Sequence, residues 1–183
     1  MITAVGHGDL TPETLRAVER ELTARLERIE DPAPGLVRTG AGPAAAFGRA
    51  VRATGRRLVV LLPAQGSVPA PLVPADVEPT RELLALAQEV RLMAYEPGDR
   101  HSRITADEAL ISASARLLAV WDGSPSDGRD ATAHLVAYAR ARGIPVEVVW
   151  PVGAARGAIR QRTSPDPRPA PTTQEDLDDQ PAV

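Results

Sequence analysis

The 183-residue chain contains no cysteine and no lysine. Without cysteine there is no disulfide frame, no thiolate metal site and no cysteine nucleophile. Without lysine a Gly-x-x-x-x-Gly-Lys-Ser/Thr phosphate loop is excluded, and all 21 basic residues are arginines. Genome composition accounts for that bias at least as simply as arginine's advantage in binding phosphate. The start, "MITAVGHGDL", lacks the basic and apolar regions of a signal peptide, and no run approaches the ~20 apolar residues that span a bilayer. A cytoplasmic protein with no membrane partner is the expectation. Charge is scarce as well. The formal net charge is −3, and Asp166, Glu175, Asp176, Asp178 and Asp179 against Arg168 near the end leave residues 1–162 at +1. A body this close to neutral does not have the basic balance of a nucleic-acid reader, so no DNA or RNA partner is expected.

What is present is an alternation. The apolar runs "ITAV" (2–5), "LVRT" (36–39), "RLVVLL" (57–62), "VRLMAY" (90–95), "LLAVW" (117–121) and "VEVVW" (146–150) are short and several are β-branched. They read as strands buried on both faces. Helical spacing lies between most of them. Thr11 can cap a helix with Pro12 at its first position, and Leu15, Val18, Leu22, Leu26 and Ile29 then make one apolar stripe. Further helices are predicted over Pro43 to Thr54, over Pro79 to Gln88, after a Thr105–Glu108 capping box, and over Ala131 to Arg142 with Gly143 as the stop. This order predicts an α/β, Rossmann-like, doubly wound and mostly parallel sheet with helices on both faces, occupying residues 1–156.

Two segments break the rhythm. "PAQGSVPAPLVPADVEP" (63–79) holds five prolines and reads as a surface excursion or lid. From Gly157 to Val183 the chain is proline-rich and acidic, with too little apolar surface to offset its ordering entropy, so a disordered tail is expected.

In an open parallel sheet, ligands sit outside the carboxyl ends of the strands. Three glycine-bearing loops fall on that rim: "GHGD" (6–9), "TGAGPAA" (39–45) and "WDGSPSDGRDAT" (121–132). Glycine lets backbone approach a ligand, and the N–H groups at a helix N-terminus attract phosphate. Gly6, Gly40, Gly42, Gly123 and Gly128 are the backbone candidates, with Thr132 and Arg129 at the mouth of the last helix. His7 is placed to meet phosphate, and Asp9, Asp122 or Asp130 to meet ribose hydroxyls. Each loop alone is also ordinary turn chemistry, and Asp127 or Asp130 would serve equally as a helix cap. His7, His101 and His134 form no i, i+4 pair, so no metal is expected, and no cofactor either.

The set "VGHGDL", "GAGPAAAFGRAV" and "LLAVWDG...DGRDATAHLVAYARARGIPVEVVW" resembles the SLOG superfamily of Rossmann-like nucleotide-binding proteins, which includes the Lonely-Guy phosphoribohydrolases and Smf-type DNA-processing proteins. The part after Trp121 is also similar to nucleoside deoxyribosyltransferases. The resemblance implies a homo-oligomeric protein, such as a homodimer, that binds a nucleotide-type small molecule as sensor or carrier, and the richness in arginine and proline suggests a bacterial source. It also implies an alternative, cleavage of an N-glycosidic bond with Asp130 or Asp122 as the acid. Set on Thr132, the Lonely-Guy pattern Pro-Gly-Gly-x-Gly-Thr-x-x-Glu keeps Gly128 and Thr132. It meets Asp127, Arg129 and Ala131 at other conserved places and Leu135 at its glutamate. A carboxylate beside the oxocarbenium-like transition state is thereby lost, which favours binding over hydrolysis. A ligand-free scaffold that recruits a partner is the third reading.

Overall fold

Six apolar runs form six parallel strands, and the computed structural model describes them within residues 1–128 and 130–157. Arg129 and nearly all of the segment expected to be a tail lie outside the described residues. In chain order the elements are β1 (Ile2–Gly6), α1 (Pro12–Arg28), β2 (Gly35–Arg38), α2 (Pro43–Ala53), β3 (Leu58–Gln65), β4 (Val68–Pro69), α3 (Pro74–Leu86), β5 (Glu89–Ala94), α4 (Arg100–Ser112), β6 (Arg116–Val120), α5 (Thr132–Ala141) and β7 (Val146–Val148). The parallel strands lie in the order β5-β3-β2-β1-β6-β7, and β4 folds back antiparallel on the end of β3. This is the expected Rossmann-like architecture.

Strand alternation sorts the core into two layers. Leu118 and Val120 pack with Val18, Leu22 and Leu26 of α1, Phe47 and Val51 of α2 and Leu83 of α3. Their neighbours Leu117 and Ala119 point the other way, to Ile111 of α4 and Leu135, Val136 and Ala139 of α5. Leu22 and Leu26 are wholly buried, and each such side chain contributes about 1.5–3 kcal/mol of burial energy. The α1 stripe and its cap are as the sequence indicates: the Thr11 side chain accepts the Thr14 N–H at 3.2 Å.

Three expectations need correction. Most of residues 63–79 is regular structure, divided between the end of β3, β4 and the first turns of α3. That helix begins with Pro74 at its first turn, not with Pro79, which sits inside it. Both prolines suit a helix start, and the chain uses the earlier one, with Val73 as the cap residue. The fourth helix likewise starts at Asp99, whose carboxylate accepts the Ser102 N–H at 2.6 Å, so Thr105 lies within α4 and caps nothing.

β1 has β2 on one side and β6 on the other. Strand order therefore reverses at β1, and the crevice outside Gly6 and Val120 is the topological switch point of the sheet.

Candidate functional site

At that crevice β1 and β6 run very close together. A Cβ on Gly6 would stand 2.5 Å from the Val120 carbonyl oxygen, so only glycine fits there. The next residue, His7, is 1% exposed, and its backbone N–H donates to Val120. Its ring lies between two carboxylates, with Nδ1 2.5 Å from Asp130 and Nε2 2.8 Å from Asp122. An imidazolium donating from both nitrogens satisfies both. Trp150 meets the ring edge-on at 5.8 Å between centroids.

The electrostatics follow from this contact. Burial alone would lower the His7 pKa, but the hydrogen bonds and charges of Asp130 and Asp122 outweigh it and hold the pKa above the ordinary value. Burial would likewise raise both carboxylates, yet each is lowered to about 2. For Asp122 the bonds from Ser124 and His7 do this; for Asp130, those from His7 and the Thr132 amide. Asp130 also works as a cap, its Oδ1 accepting the Thr132 N–H at 2.7 Å.

A third carboxylate joins from α1's approach. Asp9 takes the Arg156 Nε at 3.0 and 3.1 Å, and the same guanidinium lies 3.9 Å from Asp130. Arg156 reaches them because the segment after β7 crosses the rim and bridges Leu10 antiparallel. His7, Asp9 and Asp130 each offer one ligand atom within 4.8 Å of the others, a spacing that suits a metal. Here the carboxylates face Arg156 and a doubly bonded imidazole, which supply the countercharge themselves.

In front of this network is a cavity of about 230 Å³. Its floor is backbone from Gly6, Gly8, Gly40 and Ala41, and the first residues of α2 and α5 open onto it. Gly42, at φ 72°, turns the chain into α2 in a conformation that other residues avoid. Arg38, Arg100 and Arg103 line one side. Arg38 is held by Asp107, whose oxygens take Nε at 2.5 Å and Nη2 at 2.9 Å. Burial opposes that charge, and Asp107 more than restores it, raising the Arg38 pKa. Arg100 donates to the Asp127 carbonyl at 2.8 Å, while its buried Nε has no partner among the described residues. Arg103 forms no ion pair among the described residues, and it stands one helical turn from Arg100 on the same side of α4. The start of α5 is already occupied by Asp130 and Ser126, whereas the start of α2 has no side-chain cap, and with two arginines not committed to a carboxylate it offers the groups that suit an anion.

No protein-family model and no curated protein matches the chain. Solved structures do match it. The fold is Rossmann-like. A molybdenum cofactor carrier protein from Chlamydomonas reinhardtii superposes with a TM-score of 0.51 at 17% identity, over 80% of this chain and 74% of that one. DNA processing protein A from Helicobacter pylori superposes at 0.56 and 13% identity, over 80% of this chain and 63% of that one. The Helicobacter pylori protein binds single-stranded DNA. That overturns the expectation that no DNA or RNA partner fits this chain. A near-neutral average charge excludes no strand, because phosphate responds to local clusters such as Arg100 and Arg103.

Of the residues singled out from sequence, Gly6, Gly40, Asp130 and Thr132 line the cavity, and Gly42 stands just behind it. His7, Asp9 and Asp122 meet Asp130 in the network at its back. Gly123 and Gly128 lie on the exposed outer loop, and Arg129 is outside the described residues. Arg38, Arg100, Arg103, Asp107 and Arg156 were not foreseen. The i, i+3 arginines of "GDRHSR" carried a signal that His101 obscured. Arg156 carried none, since its partner is 147 positions away.

Proposed function

We propose that this chain is a SLOG-type domain that binds a nucleotide or nucleotide-derived anion at the carboxyl rim of its sheet, as sensor or carrier. The convergence of glycine backbone, the start of α2, and Arg100 and Arg103 on one 230 Å³ cavity carries this reading. Phosphate sits at the start of α2 and the arginines, and the base or sugar lies against Ile104, Leu110 and Leu135, which line the same space. The carrier found among the similar structures supports the choice of role.

Leu135 lines the cavity at the position where the Lonely-Guy pattern has its glutamate. A hydrolase reading therefore rests on Asp130, an ionised carboxylate on the cavity wall. Its two oxygens are already taken by His7 and the Thr132 amide, which spends its negative charge inside the protein. Asp122 is bound to His7 and Ser124 and does not line the cavity.

A thermal-shift screen of the full chain tests the reading. It uses nucleoside monophosphates, cyclic nucleotides, ADP-ribose, nucleotide sugars and a single-stranded oligonucleotide, and each mixture is then analysed for released base. A ligand at ~100 times its dissociation constant stabilises by about 2.7 kcal/mol. The expected result is a shift with a small nucleotide and no free base, lost in Arg103→Ala with the unliganded melting temperature unchanged. Released base would establish the hydrolase, a shift with the oligonucleotide alone would establish strand binding, and no shift with any compound would overturn the proposal in favour of a ligand-free scaffold.

A further inference from the structure

β5 is the outermost strand on its side of the sheet and, among the described residues, pairs only with β3. The Gln88 N–H donates to Leu58 at 3.0 Å, so in this ladder the backbone groups of residues 88, 90 and 92 point to β3. Those of Glu89, Arg91 and Met93 therefore point outward. The strand has no proline or lysine, two of the residues that blunt such an edge, and its charges are Glu89 and Arg91. Instead Val90 and Leu92 are 46% and 45% exposed. They share a face with Val60 and Leu62, the face on which α3 packs. On α3, Glu82 reaches Arg49 of α2, and Val77 and Leu84 lie roughly 200–220° round the helix from it. Those two exposed apolar residues thus face away from α2, toward the β5 side. An unpaired edge and an apolar flank coincide.

The charges on the opposite face of β5 say what fits. Glu89 and Arg91 stand two positions apart with Val90 between them, and within one copy the Arg91 Nε donates to Glu89 at 2.6 Å while Arg57 lies 3.4 Å from the same carboxylate, so a second copy would bring two such pairs together into one cluster of alternating charge. If a second copy approaches antiparallel about a two-fold axis at Val90, Glu89 of each copy lies directly opposite Arg91 of the other. Both are residues whose backbone groups point outward, so each opposed pair exchanges two main-chain hydrogen bonds. The axis passes through a Val90–Val90 pair of the closely spaced kind, and the exposed Leu92 and Leu84 are carried toward the junction. We propose that this edge is a homodimer interface, joining two sheets into one through Glu89–Arg91 pairing about Val90. The proposal is independent of what occupies the cavity.

Two measurements on the full chain test it. In sedimentation equilibrium the wild type is expected to be a dimer. Glu89→Arg and Arg91→Glu each set like charges opposite one another and should weaken association about tenfold or more, while an equimolar mixture of the two should recover a mixed dimer. The absence of native cysteine makes a single introduced thiol unambiguous. Val90→Cys should cross-link to a disulfide dimer on mild oxidation, because opposed residues of this kind lie about 4.5 Å apart at Cα, within disulfide range. Leu92→Cys, which this register separates from its own copy by roughly four residues of strand, or about 13 Å, should not. A monomeric wild type, association indifferent to both charge reversals, or cross-linking at Leu92 in place of Val90 would overturn the proposal. Circular dichroism of each variant separates loss of pairing from loss of fold.

Discussion

His7 holds two carboxylates, Asp122 and Asp130, from a position with almost no access to water. Replacing it by Phe keeps a ring against Trp150 but removes both donors, leaving Asp130, only 8% exposed, without its main partner. Removing one member of a buried charged pair costs about 3–5 kcal/mol, and Arg156 at 3.9 Å offsets part of that here. His7→Phe is therefore expected to lose about 2–4 kcal/mol in urea denaturation, and an unchanged midpoint would remove the network from the account of stability. The network also has a pH signature. His7 has a raised pKa, so its contribution is complete below the ordinary histidine value of ~6.5 and is lost as pH rises through the folded value. Asp122 and Asp130 have lowered values, so theirs is complete above ~3.9 and is lost as pH falls toward about 2. Stability should be greatest between about pH 4 and pH 6.5, with a decline on the alkaline side that His7→Phe abolishes. Denaturation midpoints measured from about pH 3 to about pH 9 give both limbs.

The elements were more legible than the site, and the reason is range. A strand or helix is written in neighbouring residues. Thr11, Pro12 and the Leu15–Leu26 stripe identify α1 within a single window, and six apolar runs identify the six parallel strands. Glycine loops on the rim were equally local, which is why Gly6 and Gly40 emerged at the cavity. The errors arose where two local signals compete, Pro74 against Pro79 and Asp99 against Thr105, and where partners are distant, as in Arg38 with Asp107 or Arg156 with Asp9. The α4 start can be checked directly. Asp99→Ala removes a carboxylate that accepts the Ser102 N–H and should cost about 1 kcal/mol, whereas Thr105→Ala, on an exposed interior turn, should change stability by less than about 0.5 kcal/mol. The reverse ranking would restore the capping box read from sequence. Because Arg100 and Arg103 occupy the first turn after Asp99, loosening that turn should also weaken anion binding.

At the scale of the whole molecule, the segment after β7 closes the rim back onto the start of α1. Thr14 Oγ1 donates to the Ala155 carbonyl at 3.0 Å and accepts its N–H at 2.8 Å, and the Arg156 Nε–H is shared between both oxygens of Asp9. The first helix, the last strand and the switch-point loop are thus joined by side chains more than a hundred positions apart in sequence. This closure is polar and lies partly in water, so it should open at less cost than the sheet. Arg156→Gln removes the cation that compensates Asp9 and contributes to Asp130, and two consequences are expected. Amide exchange should accelerate at Thr11 and Gly157, whose N–H groups donate across this junction, while the β1–β6 ladder stays protected. Asp130 would also rely more heavily on His7, so the alkaline loss of stability should be larger than in the wild type. If exchange rises equally in β1 and β6, the strap and the sheet are one cooperative unit, and Arg156 acts on the fold and not on the rim.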